Sequence, residues 1–530
     1  MENEKETTNY FSPELEHFIT EFQSSQVAAT NRQADNDRIS GPAMVYEKIR
    51  TALEYQEEHH IFKNAIARII SRKYAFTMNP SAKRLVSDLI SELSWANYIN
   101  PENIKPEEYS VIIQIVDRYL VFLREARSGF VKKGNLQKMI IQWMACEINE
   151  LFHPEKEREV FLNYTSSVIG QNLSLEQSNV SPEENLIQLK IAIYSLVMKP
   201  DFYLIQYWLL KAIYPNWATM SLEDAGKIAR SFDPYYNKIN HSLNHPYRKN
   251  YLLFVKRNIS PFTLLYRVLM TDGVDLEKLR NKPQILHTMM MDQYDRGIKS
   301  AKDKVWRGTF RALIFIFVTK ISLAFLLEIP FDKFFSGHID FVSLIINVTL
   351  PPLLMLAAGT FVKSPPSSNY RTVSEAATNL ITKGTLLDKK VSLLNSKTST
   401  LDNIFNSVYF LITFGILLGV IWLLAFLKFN IISITLFFVF VSAVSFFSFR
   451  IRNIALELAM KRNDDTLTSA LEFIFLPFIR IGRFLSDRIA AFNPFIIALD
   501  FLIEAPLKTI IKITNSWLRF INSKKEDLEF

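Results

Sequence analysis

Apolar residues keep one rhythm from Ala43 to about Ser300 and a different one beyond it. In the first stretch they recur every three or four positions, the spacing of helices that bury one face. In the second they gather into four runs, Ala312–Leu327, Phe341–Val362, Ile404–Leu427 and Ile431–Phe449. The last three runs contain no charged residue, and each approaches or exceeds the roughly 18–20 residues an α-helix needs to cross the hydrocarbon of a bilayer. The pattern predicts an all-α, polytopic membrane protein, with four transmembrane helices behind a large N-terminal helical region.

Polar breaks divide the first stretch into helices over Met44–Tyr74, Ser81–Tyr98, Glu107–Arg127 and Asn135–Phe152. Ile112, Val116, Tyr119, Leu120 and Leu123 share one face of the third, which Pro106-Glu107-Glu108 opens with a favourable first turn. Gly170–Ser181 is polar and poor in large apolar residues, so it reads as the linker between two helical lobes, 44–169 and 183–304. The second lobe predicts helices over Pro182–Met198, Asp201–Tyr214, Ser221–Leu243, Tyr247–Met270 with a break at Pro261, and Val274–Ser300. Strand-like alternation is absent. Residues 1–43 are polar, acid-rich and without a sustained period, which predicts a disordered or loosely docked tail.

The membrane half divides into two spans within 305–362, a loop over 363–403, a hairpin over 404–449 and a C-terminal segment over 450–530. Three residues join the last two spans, so a tight antiparallel hairpin is expected. In the C-terminal segment, Leu471–Ile481 carries Pro477, and Ile489–Ile503 carries Pro494 and Asp500; both are too short to cross. Phe501–Phe520 sets apolar residues against Glu504, Lys508 and Lys512, with Trp517 as an anchor, the pattern of a helix lying in the interface. Docking of these pieces on the helical lobes is the alternative.

Charge orients the spans. Lys299, Lys302, Lys304, Arg307 and Arg311 precede the first, six basic residues lie in the 41-residue loop Lys363–Asn403, and Arg450, Arg452, Lys461 and Arg462 follow the fourth. The opposite loops hold only Lys333 and Lys428. The positive-inside rule puts both termini, the helical lobes and the long loop in the cytoplasm, with the spans in the plasma or inner membrane. The formal net charge of +8 lies after residue 300, which favours anionic headgroups over nucleic acid as a partner. The start of the chain lacks the apolar core of a signal peptide. Cys146, the one cysteine, sits in an apolar stretch and reads as an inert buried thiol.

Candidate chemistry is thin. Glu57 with His60 and Glu150 with His153 have the E-x-x-H spacing by which helical bundles hold two irons, and Asp88, Glu92 and Asp117 could add carboxylates. Glu14 with His17 repeats the spacing in the tail. An ordinary solvated face explains these residues more simply, and no metal or cofactor is assigned. Lys320 is the one charged residue inside an apolar run, with Asn347 and Thr349 as its expected polar neighbours and Glu328 placed at the outer end of the span. Snorkelling or structural hydrogen bonding is the expected role, so Lys320→Met should be tolerated. Pro351-Pro352 interrupts the second span, and Gly415 and Gly419 form a GxxxG pair in the third, suited to packing within the hairpin or to homo-oligomerisation. Phosphate-loop, dinucleotide, nucleophile-elbow and H-E-x-x-H motifs are absent. The Asn240–Pro246 loop has a site-like composition but suits a helix connection equally. The expectation is a non-enzymatic, membrane-anchored helical scaffold with cytoplasmic protein partners; the alternative is a transporter or channel component built on Lys320, Asn347, Pro351 and Pro352.

Overall fold

The structure is a computed structural model that describes residues 11–33, 61–336 except 78–79, 97, 155, 172, 175–179 and 272–281, then 341–386 except 363–364, and 391–392, 400–460, 466–491 and Trp517. The fold is all-helical. The one strand pairing among the described residues is a two-residue parallel bridge of Leu173–Ser174 with Val391–Ser392. The expected linker therefore contributes Leu173, a buried residue, to that bridge. Two compact units divide the chain: Glu16–Gly170 with Asn179–Leu252, and Leu253–Phe492 with Met1–Leu15 and Gln171–Ser178; Asn493–Phe530, assigned to the first, is described only at Trp517.

Helix α1 (Pro13–Gln33) stands where the sequence predicts a disordered or loosely docked tail. Leu15, Phe18, Ile19 and Phe22 recur at i, i+3, i+4 and i+7 and are buried, and Phe18 stacks on Tyr164. That short stripe outweighs the acidic composition around it. Next come α2 (Ile61–Phe76), α3 (Ala82–Trp95), α4 (Pro106–Glu125), α5 (Lys133–Phe152) and α6 (Lys156–Gln171). Then follow α7 (Pro182–Val197), α8 (Phe202–Ile213), α9 (Leu222–Arg230), α10 (Phe232–Leu243) and α11 (Arg248–Asn258), within which the chain passes to the second unit at Leu253. Side-chain oxygens of Ser81, Ser181, Asp201 and Ser221 accept the first-turn N–H groups of α3, α7, α8 and α9, which sets where those helices begin. Helix α5 packs against α2, α4 and α8, and Trp143, Trp217, Phe122 and Phe232 fill the core. Ser231 splits the expected Ser221–Leu243 helix in two.

The second unit holds α12 (Ser260–Leu269) and then α13, a single helix from Pro283 to Leu323. It runs unbroken from the helical half into the first apolar run, then continues through two π-helical turns, Ala324–Glu328 and Asp332–Ser336. The remaining helices are α14 (Phe341–Phe361), α15 (Ser367–Lys383), α16 (Thr400–Phe426), α17 (Ile431–Ala455) and α18 (Thr466–Ala491). Three helices, spanning Pro283–Phe334, Ser407–Phe426 and Ile431–Ala455, are long and apolar enough to cross a membrane; in α14 the apolar helix is the shorter Leu344–Thr360.

Several expectations for this unit change. The 363–403 loop contains α15, whose Val373, Ala376, Ala377, Leu380 and Ile381 form a buried stripe ending at the left-handed Gly384. The hairpin is loose: α17 packs most extensively on α18, and α16 touches both only slightly. Helix α18 passes through Pro477 and lies on α17, with Phe478 stacked on Phe438, so residues 471–481 belong to the bundle rather than to a separate interfacial piece. The Phe501–Phe520 helix, Trp517 apart, lies outside the described residues.

Candidate functional site

Lys320 and Glu328 stand eight residues apart, which on an ideal α-helix would turn them about 80° away from each other. The π-helical turn at Ala324–Glu328, with its wider i→i+5 bonding, advances less per residue and swings Glu328 back onto the lysine's side. Lys320 Nζ donates to Glu328 Oε1 at 2.8 Å, and both side chains are wholly inaccessible, at 0% and 1%. Glu328 Oε2 accepts from Asn347 Nδ2 of α14 at 2.7 Å and from Ser433 Oγ of α17 at 3.1 Å. The ammonium also lies 5.2 Å from the centre of the Phe440 ring of α17. One carboxylate thus joins the π-helical extension of α13 to α14 and α17. A second tie lies beyond it: Asn430 Nδ2 donates to Asp332, while Asn430 Oδ1 caps α17 by accepting Ser433 N–H at 2.6 Å.

Counting charges inside the apolar runs misses Glu328, because it sits one residue past Leu327, where the run ends. Of the two expected roles, snorkelling or structural hydrogen bonding, Lys320 makes the hydrogen bond, to Glu328. Its charge is neutralised where it lies, and Asn347 bonds to the acid, not to the lysine. Thr349 is turned away, donating to the Ile345 carbonyl of its own helix. Pro351 and Pro352 do not interrupt α14, which is helical from Phe341 to Phe361 with both prolines buried. Proline at 351 removes the donor that the Asn347 carbonyl would take, and the Asn347 side-chain Oδ1 is also buried without a partner.

Close helix approach occurs at glycines other than the expected pair. A methyl group on Gly359 would lie 2.4 Å from Thr309 Cγ2, and one on Gly482 would lie 2.1 Å from the Ser442 carbonyl oxygen. Around Gly415 and Gly419 such a group meets nothing within 4 Å, so their small face packs against no other part of the described chain.

Among the described residues, the E-x-x-H candidates and their proposed partner carboxylates have separate partners. Glu57 and His60 lie outside the described residues. Glu150 is ion-paired with Lys211 and accepts from Tyr207 at 3.2 Å; Asp88 pairs with Lys73, and Glu92 with Arg72 and Lys73. His153 caps the end of α5, edge-on to Phe62, and burial together with nearby Arg158 holds its imidazole below its ordinary titration range. In the tail, His17 lies 3.8 Å from Glu21 on an exposed face. Among the described residues no group of three or more His, Cys, Asp or Glu could hold a metal ion.

The first unit carries a polar core that periodicity did not reveal. Arg118, on the buried side of α4, pairs with Glu147 of α5 and donates to the Ala218 carbonyl at 2.7 Å. Tyr119 donates to Glu147 at 2.8 Å and accepts from Trp217 Nε1 at 3.0 Å. Burial pushes the Glu147 carboxyl up, with Arg118 pulling it back, and holds the Tyr119 hydroxyl well above its ordinary value. Every charge here has a protein partner, which marks a packing device.

Comparison with protein-family models, curated proteins and solved structures found no match. What the chain itself defines is a helical protein with three helices long and apolar enough to span a bilayer, the first of which carries a buried Lys320–Glu328 pair whose carboxylate accepts hydrogen bonds from Asn347 of α14 and Ser433 of α17.

Proposed function

We propose that the chain is a four-span membrane scaffold whose helical lobes face the cytoplasm and recruit protein partners, without enzymatic activity. Helix α14, 21 residues long and free of charge, supplies the fourth span, and the distribution of Lys and Arg supports cytoplasmic termini in a plasma or inner membrane. The observation that carries the scaffold reading is the closure of the Lys320–Glu328 cluster. A transport pathway requires charge that a permeant species can reach, whereas here each charged group is buried and occupied by the other. The test is capture of partners from native membranes: full-length protein should retain the same partners when Lys320 and Glu328 are both neutralised, and recovery of a solitary protein sinks the scaffold reading.

A transporter is the second reading, favoured by the π-helical turns beside Glu328 and by the unpartnered Asn347 Oδ1. Under that reading neutralising the pair abolishes a flux without changing partner capture.

A further inference from the structure

A cleft of about 380 Å³ opens where α13 meets the start of α15. Its walls include Tyr294, Asp295, Lys299 and Lys302 from α13, with Pro366 and Tyr370 opposite. The opposite wall is held in place by Asn369, wholly buried, whose Nδ2 donates to the Tyr294 hydroxyl and the Leu458 carbonyl, both at 3.0 Å, and whose Oδ1 accepts from Met460 N–H at 2.8 Å. Tyr370 meets the Tyr294 ring edge-on at 5.6 Å. Lys299 and Lys302, one turn apart, are exposed, and neither is ion-paired among the described residues. Asp295 lies further along α13 from the apolar run than either lysine, so the positive end of the cleft is the one nearer that run.

We infer that this cleft seats the phosphate of a membrane phospholipid between Lys299 and Lys302. The inference rests on the membrane reading above. Two chain segments fix the level of the cleft. Four residues beyond Lys302, about 6 Å along α13, stands Trp306, followed by Phe310; both are exposed on the way into the apolar run. On the other side, the apolar run that begins with α14 ends at Val362, three residues before Pro365 in the cleft wall. The two lysines therefore stand at headgroup depth, and the exposed aromatic side chains beside them suit glycerol backbone and acyl chain in a way a soluble anion would not use.

The test uses full-length protein in phosphatidylcholine nanodiscs titrated with phosphatidylglycerol, with lipid retained on transfer to detergent counted by native mass spectrometry. At about 1 kcal/mol for each lysine beside an anionic surface, Lys299→Gln with Lys302→Gln should weaken phosphatidylglycerol retention about 30-fold. Lys304→Gln with Arg307→Gln, two basic residues on the same helix outside the cleft lining, should weaken it clearly less, because they make no direct hydrogen bond to a phosphate held in the cleft. Equal losses in the two variants would reduce the site to a diffuse basic belt and overturn the inference. Glycerol phosphate that displaces the lipid at matching concentration would make the cleft a seat for a soluble anion and overturn it equally. A thermal midpoint unchanged in phosphatidylcholine shows that each variant is folded. Release of the wild-type protein from membranes by alkaline carbonate would refute the membrane reading itself, a result separate from either lipid outcome.

Discussion

Lys320→Met should destabilise the bundle, against what the sequence pattern suggests for a lone intramembrane lysine. The substitution removes an ammonium 2.8 Å from Glu328 Oε1 and leaves a wholly buried carboxylate with only Asn347 and Ser433 as donors. Breaking a buried pair from one side costs about 3–5 kcal/mol, because the surviving charge stays out of solvent. For a unit of a few hundred residues that lowers the thermal midpoint by about 6–20 °C. Glu328→Gln should cost a similar amount by orphaning Lys320. Lys320→Met combined with Glu328→Gln should recover most of the loss, since replacing both partners removes the buried charge altogether. The assay is thermal unfolding of the four purified full-length proteins in one detergent, closed as a double-mutant cycle. If Lys320→Met unfolds with the wild type, or the two single losses simply add, the pair is not formed and the lysine reaches the interface on its own.

Three further outcomes are expected. Gly359→Ala and Gly482→Ala should each lower the thermal midpoint, at about 1–3 kcal/mol for overpacking, whereas Gly415→Ala and Gly419→Ala should leave it unchanged; matching effects at all four would mean the close approaches are misplaced. Burial lowers the His153 pKa from 6.5, so the folded state binds fewer protons than the unfolded state between those values, and stability falls as pH drops below about 6.5; His153→Asn should flatten that part of the pH–stability curve, and an unchanged slope would exclude the imidazole as its source. With Cys146 replaced, a cysteine at Ser336 should react with an impermeant maleimide in intact cells and one at Ser396, outside the described residues, should not; the reverse pattern inverts the orientation.

Periodicity exposed most of the helices, and failures have separate physical causes. α1 is hidden because four apolar residues sit among acidic ones, so that composition masks the i, i+3, i+4, i+7 stripe of Leu15, Phe18, Ile19 and Phe22. α15 was hidden in the same way by a polar face that made 363–403 look like a loop. Arg118 could not be read from pattern, because a charged residue inside a core is indistinguishable from a solvated one until its partner on another helix is known. Glu328 was visible as a residue but not as a partner: its alignment with Lys320 depends on a π-helical turn, for which spacing rules built on 3.6 residues per turn give no signal. Of the two roles expected for the GxxxG pair, packing within the hairpin is not formed. Small residues permit close packing, but the contacts formed lie at the isolated glycines 359 and 482.

The claim that the Lys320–Glu328 charges hold helices together and do not carry a solute is tested most directly in a strain that depends on this protein. Lys320→Met with Glu328→Gln should accumulate in the membrane and support growth as the wild type does. A double variant that accumulates normally, unfolds like the wild type, and yet fails to support growth would show that the charges themselves are used, and would contradict the scaffold account.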